Sequence, residues 1–215
     1  MINTLPAPQN LVTDSWIEAA WEAYLLLADD PNYEAGRCYY DDGWMRIEMA
    51  ALGSLHGREN SIVSNLVVLF TTLKIIRSAE LTNTTFRKTG IRDCQPDIAF
   101  YLGSTFRLPA LDNAPVNIDE FGAPHLAIEI ASTTLSDDLG RKRLLYERLG
   151  VKEYWVVDVS AGQIFAFEVS DGGSKQVWES QVLPGLAIAL VEEALRRSQT
   201  QDDGEINRWL LQEFN

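Results

Sequence analysis

Cysteine is nearly absent from this 215-residue chain, and the two present, Cys38 and Cys94, have neither metal-ligand spacing nor a disulfide framework around them. Free thiols in a reducing compartment are the simplest reading. No apolar run approaches the ~20 residues that span a bilayer. No basic segment leading into an apolar stretch marks a secretory leader at the N-terminus, so a cytoplasmic protein is expected. Positive charge is scarce too: 18 Lys and Arg face 31 Asp and Glu, for a net charge of −13. Chains that grip nucleic acid without sequence preference are usually basic. The deficit argues against strong non-specific affinity, but a small basic patch or a metal cluster can still act locally. Much of the acidic excess lies outside the presumed core, at Asp29-Asp30, Asp41-Asp42 and Asp202-Asp203. Repeats and low-complexity segments are missing as well.

What is present reads as one mixed α/β domain with a substantial core. Residues 1–12 read as an extended arm, 13–198 as the domain, and 199–215 as a helical tail. Thr13 or Asp14 can cap a helix through Trp16, Ala20, Trp21, Tyr24 and Leu25, stopped by Asp30-Pro31-Asn32. Asp41-Asp42-Gly43 has the turn chemistry of a hairpin joining Ala35–Tyr40 to Trp44–Met49. A long helix runs from about His56 to Lys74. Strands are expected over Leu81–Lys88 and Asp97–Tyr101, then a long loop over Gly103–Pro124, which at that length is often functional. Strand Leu126–Ala131, a helix ending at Leu149-Gly150, and strand Glu153–Asp158 form a strand-helix-strand unit. Gln163–Val169 pairs back on it, and Lys175–Glu179 follows after Asp171-Gly172-Gly173. Helical patterns close the chain at Val191–Arg197 and Ile206–Phe214.

Several charged residues interrupt this apolar patterning. Asp97 follows Pro96 at the head of a strand, and Glu129 sits inside Leu126-Ala127-Ile128-Glu129-Ile130-Ala131. A carboxylate buried in a strand of Leu, Ala and Ile is costly unless something pairs with it. At ~100° per residue, Lys142 falls within the stripe of Leu135, Leu139, Leu145, Tyr146 and Leu149. Its amine either snorkels to water or aims at the preceding strand, and Glu129 favours the second. Tyr146 can position that lysine or fill the core. Glu59 is likewise central in the face formed by Leu55, Ile62, Leu66, Phe70 and Leu73, with His56 at its border. A glutamate there also suits the helix dipole, and capping or packing accounts for His56. Asp97 and Glu129 can hold a hard divalent cation, Mg²⁺ with Mn²⁺ as substitute, with Glu59 a third ligand directly or through water. Lys142 would activate or orient the attacking water and offset charge building on a phosphate.

Pro96-Asp97 followed by a strand carrying Glu129 resembles the PD-(D/E)XK nuclease pattern. The wider segment is similar to the Uma family of restriction endonuclease-like proteins. The matching residues are Gln95-Pro96-Asp97-Ile98, Glu129-Ile130-Ala131-Ser132, Asp138, Lys142, Tyr146 and the run from Gly150 to Asp158. His56 sits where that family tends to have a histidine. The superfamily's lysine is expected two residues after Glu129, where this chain has Ala131, and the resemblance implies that Lys142 has taken its place from the helix. It further implies a restriction endonuclease-like core, a central mixed sheet flanked by helices, a Mg²⁺-dependent endonuclease acting on DNA, and a homodimer. Two readings stand: that enzyme, or an inactive relative that binds DNA or a protein. The acidic surface and Ala131 speak for the second.

Overall fold

The computed structural model describes residues 13–49 and 53–215, so the expected arm over residues 1–12 lies outside the described residues. In chain order the elements are β1 (Ile17–Glu18), α1 (Trp21–Ala28), β2 (Arg37–Asp41), β3 (Trp44–Glu48), α2 (Ser54–Leu73), β4 (Ser78–Thr82), β5 (Phe86–Lys88), β6 (Arg92–Cys94) and β7 (Ile98–Leu102). There follow β8 (Val116–Asn117), α3 (Ile118–Phe121), β9 (Leu126–Ala131), α4 (Leu135–Asp137), a π-helical turn (Asp138–Lys142) and α5 (Arg143–Leu149). The chain ends with β10 (Glu153–Asp158), β11 (Gln163–Ser170), β12 (Gly173–Val177), α6 (Ile188–Ser198) and α7 (Asp203–Glu213).

Two mixed sheets form where one central sheet was expected. One has the order β1-β3-β2-β6-β5-β8, the other β12-β11-β10-β9-β7-β4. β9 and β10 are parallel, as a strand-helix-strand crossover requires, and the other pairs of the second sheet are antiparallel. Side chains alternate across this sheet with a period of two. Ile98, Phe100, Ile128 and Ile130 pack towards residues of α2, α6 and α7. Ala99, Tyr101, Ala127 and Ala131 face the opposite side, where they meet Leu145, Tyr146 and Leu149 of α5 and Tyr39, Phe86 and Cys94 of the first sheet. Met45 and Ile47 turn the far face of the first sheet to α1. The second core is therefore a chamber between two sheets, closed by the α4–α5 helix.

The strand after Glu129, the hairpin and the long helix stand close to their expected bounds. Asp42 and Gly43 both take positive φ, the geometry of the two-residue turn that matches strand twist. Four expectations are corrected. The helix proposed from Thr13 or Asp14 begins only at Trp21, because Ile17 and Glu18 are drawn into β1 opposite Met45 and Trp44. The strand proposed over Leu81–Lys88 is two strands in different sheets, broken at Asn83, whose φ of 49° suits the short amide side chain. The Gly103–Pro124 loop contains β8, which pairs parallel with β5, and α3. Leu55 and Leu73, assigned to the apolar face of α2, lie at its ends and are exposed. Cys38 and Cys94 are free thiols, and no described helix is long and apolar enough to cross a membrane.

Candidate active site

Ile98 opposes Ile128 in the antiparallel pairing of β7 with β9, and the register continued by one residue sets Asp97 opposite Glu129. Both share the parity of Ala99 and Ala127, so both project into the chamber between the sheets. Asp97 Oδ2 accepts from the Ile130 N–H at 2.7 Å, which ties the carboxylate to the strand bearing Glu129. Its Oδ1 is paired with the guanidinium of Arg37, and His56 Nε2 lies 3.2 Å away. The His56 contact has ion-pair distance without the alignment of a hydrogen bond. Burial works to raise the Asp97 pKa. His56 and Arg37, helped by the Ile130 amide, outweigh it and hold the carboxyl below its usual range.

Glu129 is fully enclosed. Tyr146 donates to its Oε1 at 2.7 Å and Tyr39 at 3.3 Å. Tyr146 stacks on Tyr154 with ring centroids 4.7 Å apart. Tyr146 thus fills the core, and its hydroxyl meets Glu129 rather than the lysine it was expected to position. Burial drives the Glu129 pKa well up, Asp138 and Asp97 add to this, and Lys142 and Arg37 oppose it. A divalent cation bound beside this carboxyl would favour its ionised form.

Lys142 reaches this group from the helix, with 1% of its side chain exposed. The snorkelling alternative is therefore corrected: the amine is buried with its stem. Nζ is 2.8 Å from Asp138 Oδ1, 2.9 Å from Glu48 Oε2 and 3.9 Å from Glu129 Oε1. The Tyr39 ring centroid is 4.4 Å away. Burial alone would discharge the amine, but Glu129, Tyr39, Asp138 and Glu48 together raise its pKa and keep it an ammonium. The π-turn begins at Asp138 and ends at Lys142; such turns are frequent at functional sites.

Glu59 is buried one turn beyond His56, but its recorded neighbours differ. Gln199 Nε2 lies 3.4 Å from Oε1, and burial followed by the charge of Asp158 pushes its pKa up to about 7. The structure thus brings Asp97, Glu129, Lys142 and His56 together and turns Glu59 towards Gln199 and Asp158. Arg37 and Glu48 were missed. Arg46 and Glu48 alternate with the apolar Met45 and Ile47, a pattern that reads as a solvent face, and nothing local to the hairpin shows that a helix covers it.

Among the described residues no three His, Cys, Asp or Glu side chains form a ready-made metal cage. Two carboxylates facing each other across a strand pair nevertheless fit Mg²⁺, which binds one or two carboxylates and takes its remaining oxygens from water and phosphate.

No curated protein matches the chain. A solved structure from Anabaena variabilis, described as a putative nuclease belonging to DUF820, superposes with a TM-score of 0.55 at 18% identity, covering 82% of this chain and 99% of that one. At that identity the likeness is one of fold, a mixed α/β architecture. Residues 21–204 match the model of the Uma2 family, described as "Putative restriction endonuclease", and over that extent the chain belongs to this family.

Proposed function

We propose that this protein is a divalent-metal-dependent endonuclease that hydrolyses phosphodiester bonds of DNA. The observation that carries the reading is the convergence of Asp97, Glu129 and the buried ammonium of Lys142 on one chamber. Asp97 and Glu129 would hold Mg²⁺ or Mn²⁺, and the ion would supply the charge that makes a phosphate diester attackable. Lys142 is charged at neutral pH, so its part is to orient water and offset charge developing on phosphate, rather than to accept a proton. His56 and Arg37 keep Asp97 ionised. Glu59 would contribute only through water, since its own neighbours are Gln199 and Asp158. Cutting both strands at one place would need two copies, and sedimentation of the chain tests the homodimer that the resemblance implies.

The test is cleavage of plasmid, linear and branched DNA in Mg²⁺ and Mn²⁺, with Asp97→Asn and Glu129→Gln as paired controls. Cutting by the wild type and by neither variant supports the reading. The second reading, a non-catalytic binding module, is favoured by the Arg37 pairing that already neutralises Asp97 and by the net charge of −13. Calorimetry without metal uptake, in the absence and presence of DNA, decides for it.

A further inference from the structure

Glu48 belongs to neither carboxylate of the nuclease pattern, yet it is buried against the lysine of the proposed site. We propose that Glu48 is a positioning residue for Lys142, holding the ammonium beside Glu129 from the N-terminal hairpin. This rests on the nuclease reading, in which Lys142 faces the phosphate.

The argument is one of anchoring. A lysine stem has four rotatable methylenes, and its ammonium offers three donors with no preferred plane. Asp138 meets it at 2.8 Å, but Asp138 lies four residues earlier on the same helical segment and moves with it. Its carboxylate is also bonded within the segment, where Thr134 Oγ1 donates to Oδ2 at 2.5 Å, while Tyr154 of β10 donates to its backbone carbonyl and ties the segment to the second sheet. The Asp138 carboxylate therefore does not set where Lys142 stands relative to the first sheet. Glu48 can, because it comes from β3, in the first sheet. Its Oε2 takes Lys142 Nζ at 2.9 Å and Arg46 Nε at 3.4 Å. Arg46 is in turn held by Asp137 at 3.4 Å and by the Asp14 carbonyl. The hairpin and the helical segment are thus tied twice, once through Arg46–Asp137 and once through Glu48–Lys142. With Glu48 and Asp138 on the ammonium and the Tyr39 ring at its side, the remaining approach is from Glu129, 3.9 Å away.

The test compares Glu48→Gln with wild type in two independent readouts. In kinetics, the variant is expected to lose about 100-fold in kcat with KM and divalent-ion affinity changed less than about twofold. In proton–nitrogen spectra of lysine ammonium groups, wild type is expected to show a slowly exchanging Lys142 signal, assigned with Lys142→Arg, that disappears in Glu48→Gln. A retained signal together with wild-type kcat overturns the proposal. So does a parallel loss of metal affinity, which would make Glu48 a ligand rather than a positioning residue. If wild type cleaves nothing, the nuclease reading falls, and the ammonium signal alone decides whether Glu48 holds Lys142. Should Glu48→Gln fail to fold, Glu48→Asp keeps the charge and withdraws it by one methylene. It is then expected to give a weakened signal and an intermediate kcat, and unchanged values in both overturn the proposal.

Discussion

A buried carboxylate is informative only when its partners are known. Asp97 has Arg37, His56 and the Ile130 amide, so removing its charge leaves a guanidinium facing an uncharged amide. Asp97→Asn is expected to cost about 3 kcal/mol at pH 7, the usual penalty for breaking a buried pair from one side, as measured by urea unfolding. The pH dependence has a definite sign. Asp97 has a folded-state pKa below its unfolded value, so its stabilisation is complete above pH ~4 and disappears as pH falls through the folded pKa. The gap between variant and wild type should close in that acid window. Glu59 behaves oppositely. Its pKa rises to about 7 in the folded protein, so between pH ~4.5 and 7 the unfolded chain ionises first and stability falls as pH rises. Glu59→Gln removes this and is expected to stabilise the protein at pH 8 by up to about 3 kcal/mol, with no gain at pH 4. An equal effect at both pH values would show that the glutamate is not protonated in the fold. At this scale the sequence revealed Asp97, Glu129 and Lys142 through their conflict with apolar surroundings. Arg37 and Glu48 were not legible, since on a two-sided strand a charged residue looks the same facing water or a buried lysine.

Among the elements, the segment from Leu135 to Leu149 does the most to build the site. Regular 3.6-residue periodicity already placed Lys142 inward, and the π-turn from Asp138 to Lys142 places Asp138 inward with it. A π-turn carries one residue more than an α-turn. Deleting Gly140 would restore a regular helix and change the Asp138–Lys142 spacing from i,i+4 to i,i+3, moving the acid about 1.5 Å along the axis and off its present contact. The expected outcome is loss of DNA cleavage with helical circular dichroism retained. Retained cleavage would mean the turn has no part in the site. The exposed or misplaced ends of other elements were read from propensity alone. Ile17 and Glu18 have neighbours compatible with a helix, yet β3 offered them an edge to pair with. Asn83 breaks a plausible strand because its two halves belong to different sheets.

The whole molecule is held together across these elements. The C-terminal helical tail contributes Ile206, Leu210 and Phe214 to the same core as α2 and the second sheet. Phe214 packs edge-on against Phe70 at 5.1 Å, and Arg58 of α2 binds the carbonyls of Ser198 and Gln201. Ending the chain at Ser198 would expose three apolar side chains worth roughly 2 kcal/mol each, a large part of the stability of a typical domain. Such a chain is expected to show a lower urea midpoint and a broadened transition; an unchanged midpoint would make the tail dispensable. The acidic surface is also a whole-molecule property. Arg37, Arg92 and Arg148 each already serve a carboxylate.

The strand-helix-strand unit, the hairpin turn, and the conflict of Asp97, Glu129, Lys142 and Glu59 with apolar neighbours are all written in the sequence. These follow from local periodicity and turn chemistry, which are written within a few residues of chain. Long-range packing sets the two sheets around the chamber, brings Glu48 to Lys142 and Arg37 to Asp97, and turns Glu59 to Gln199. Glu48 is 94 residues from Lys142 and Arg37 is 60 from Asp97. No short-range pattern encodes such pairings; packing of the sheets and the helix between them brings the partners together.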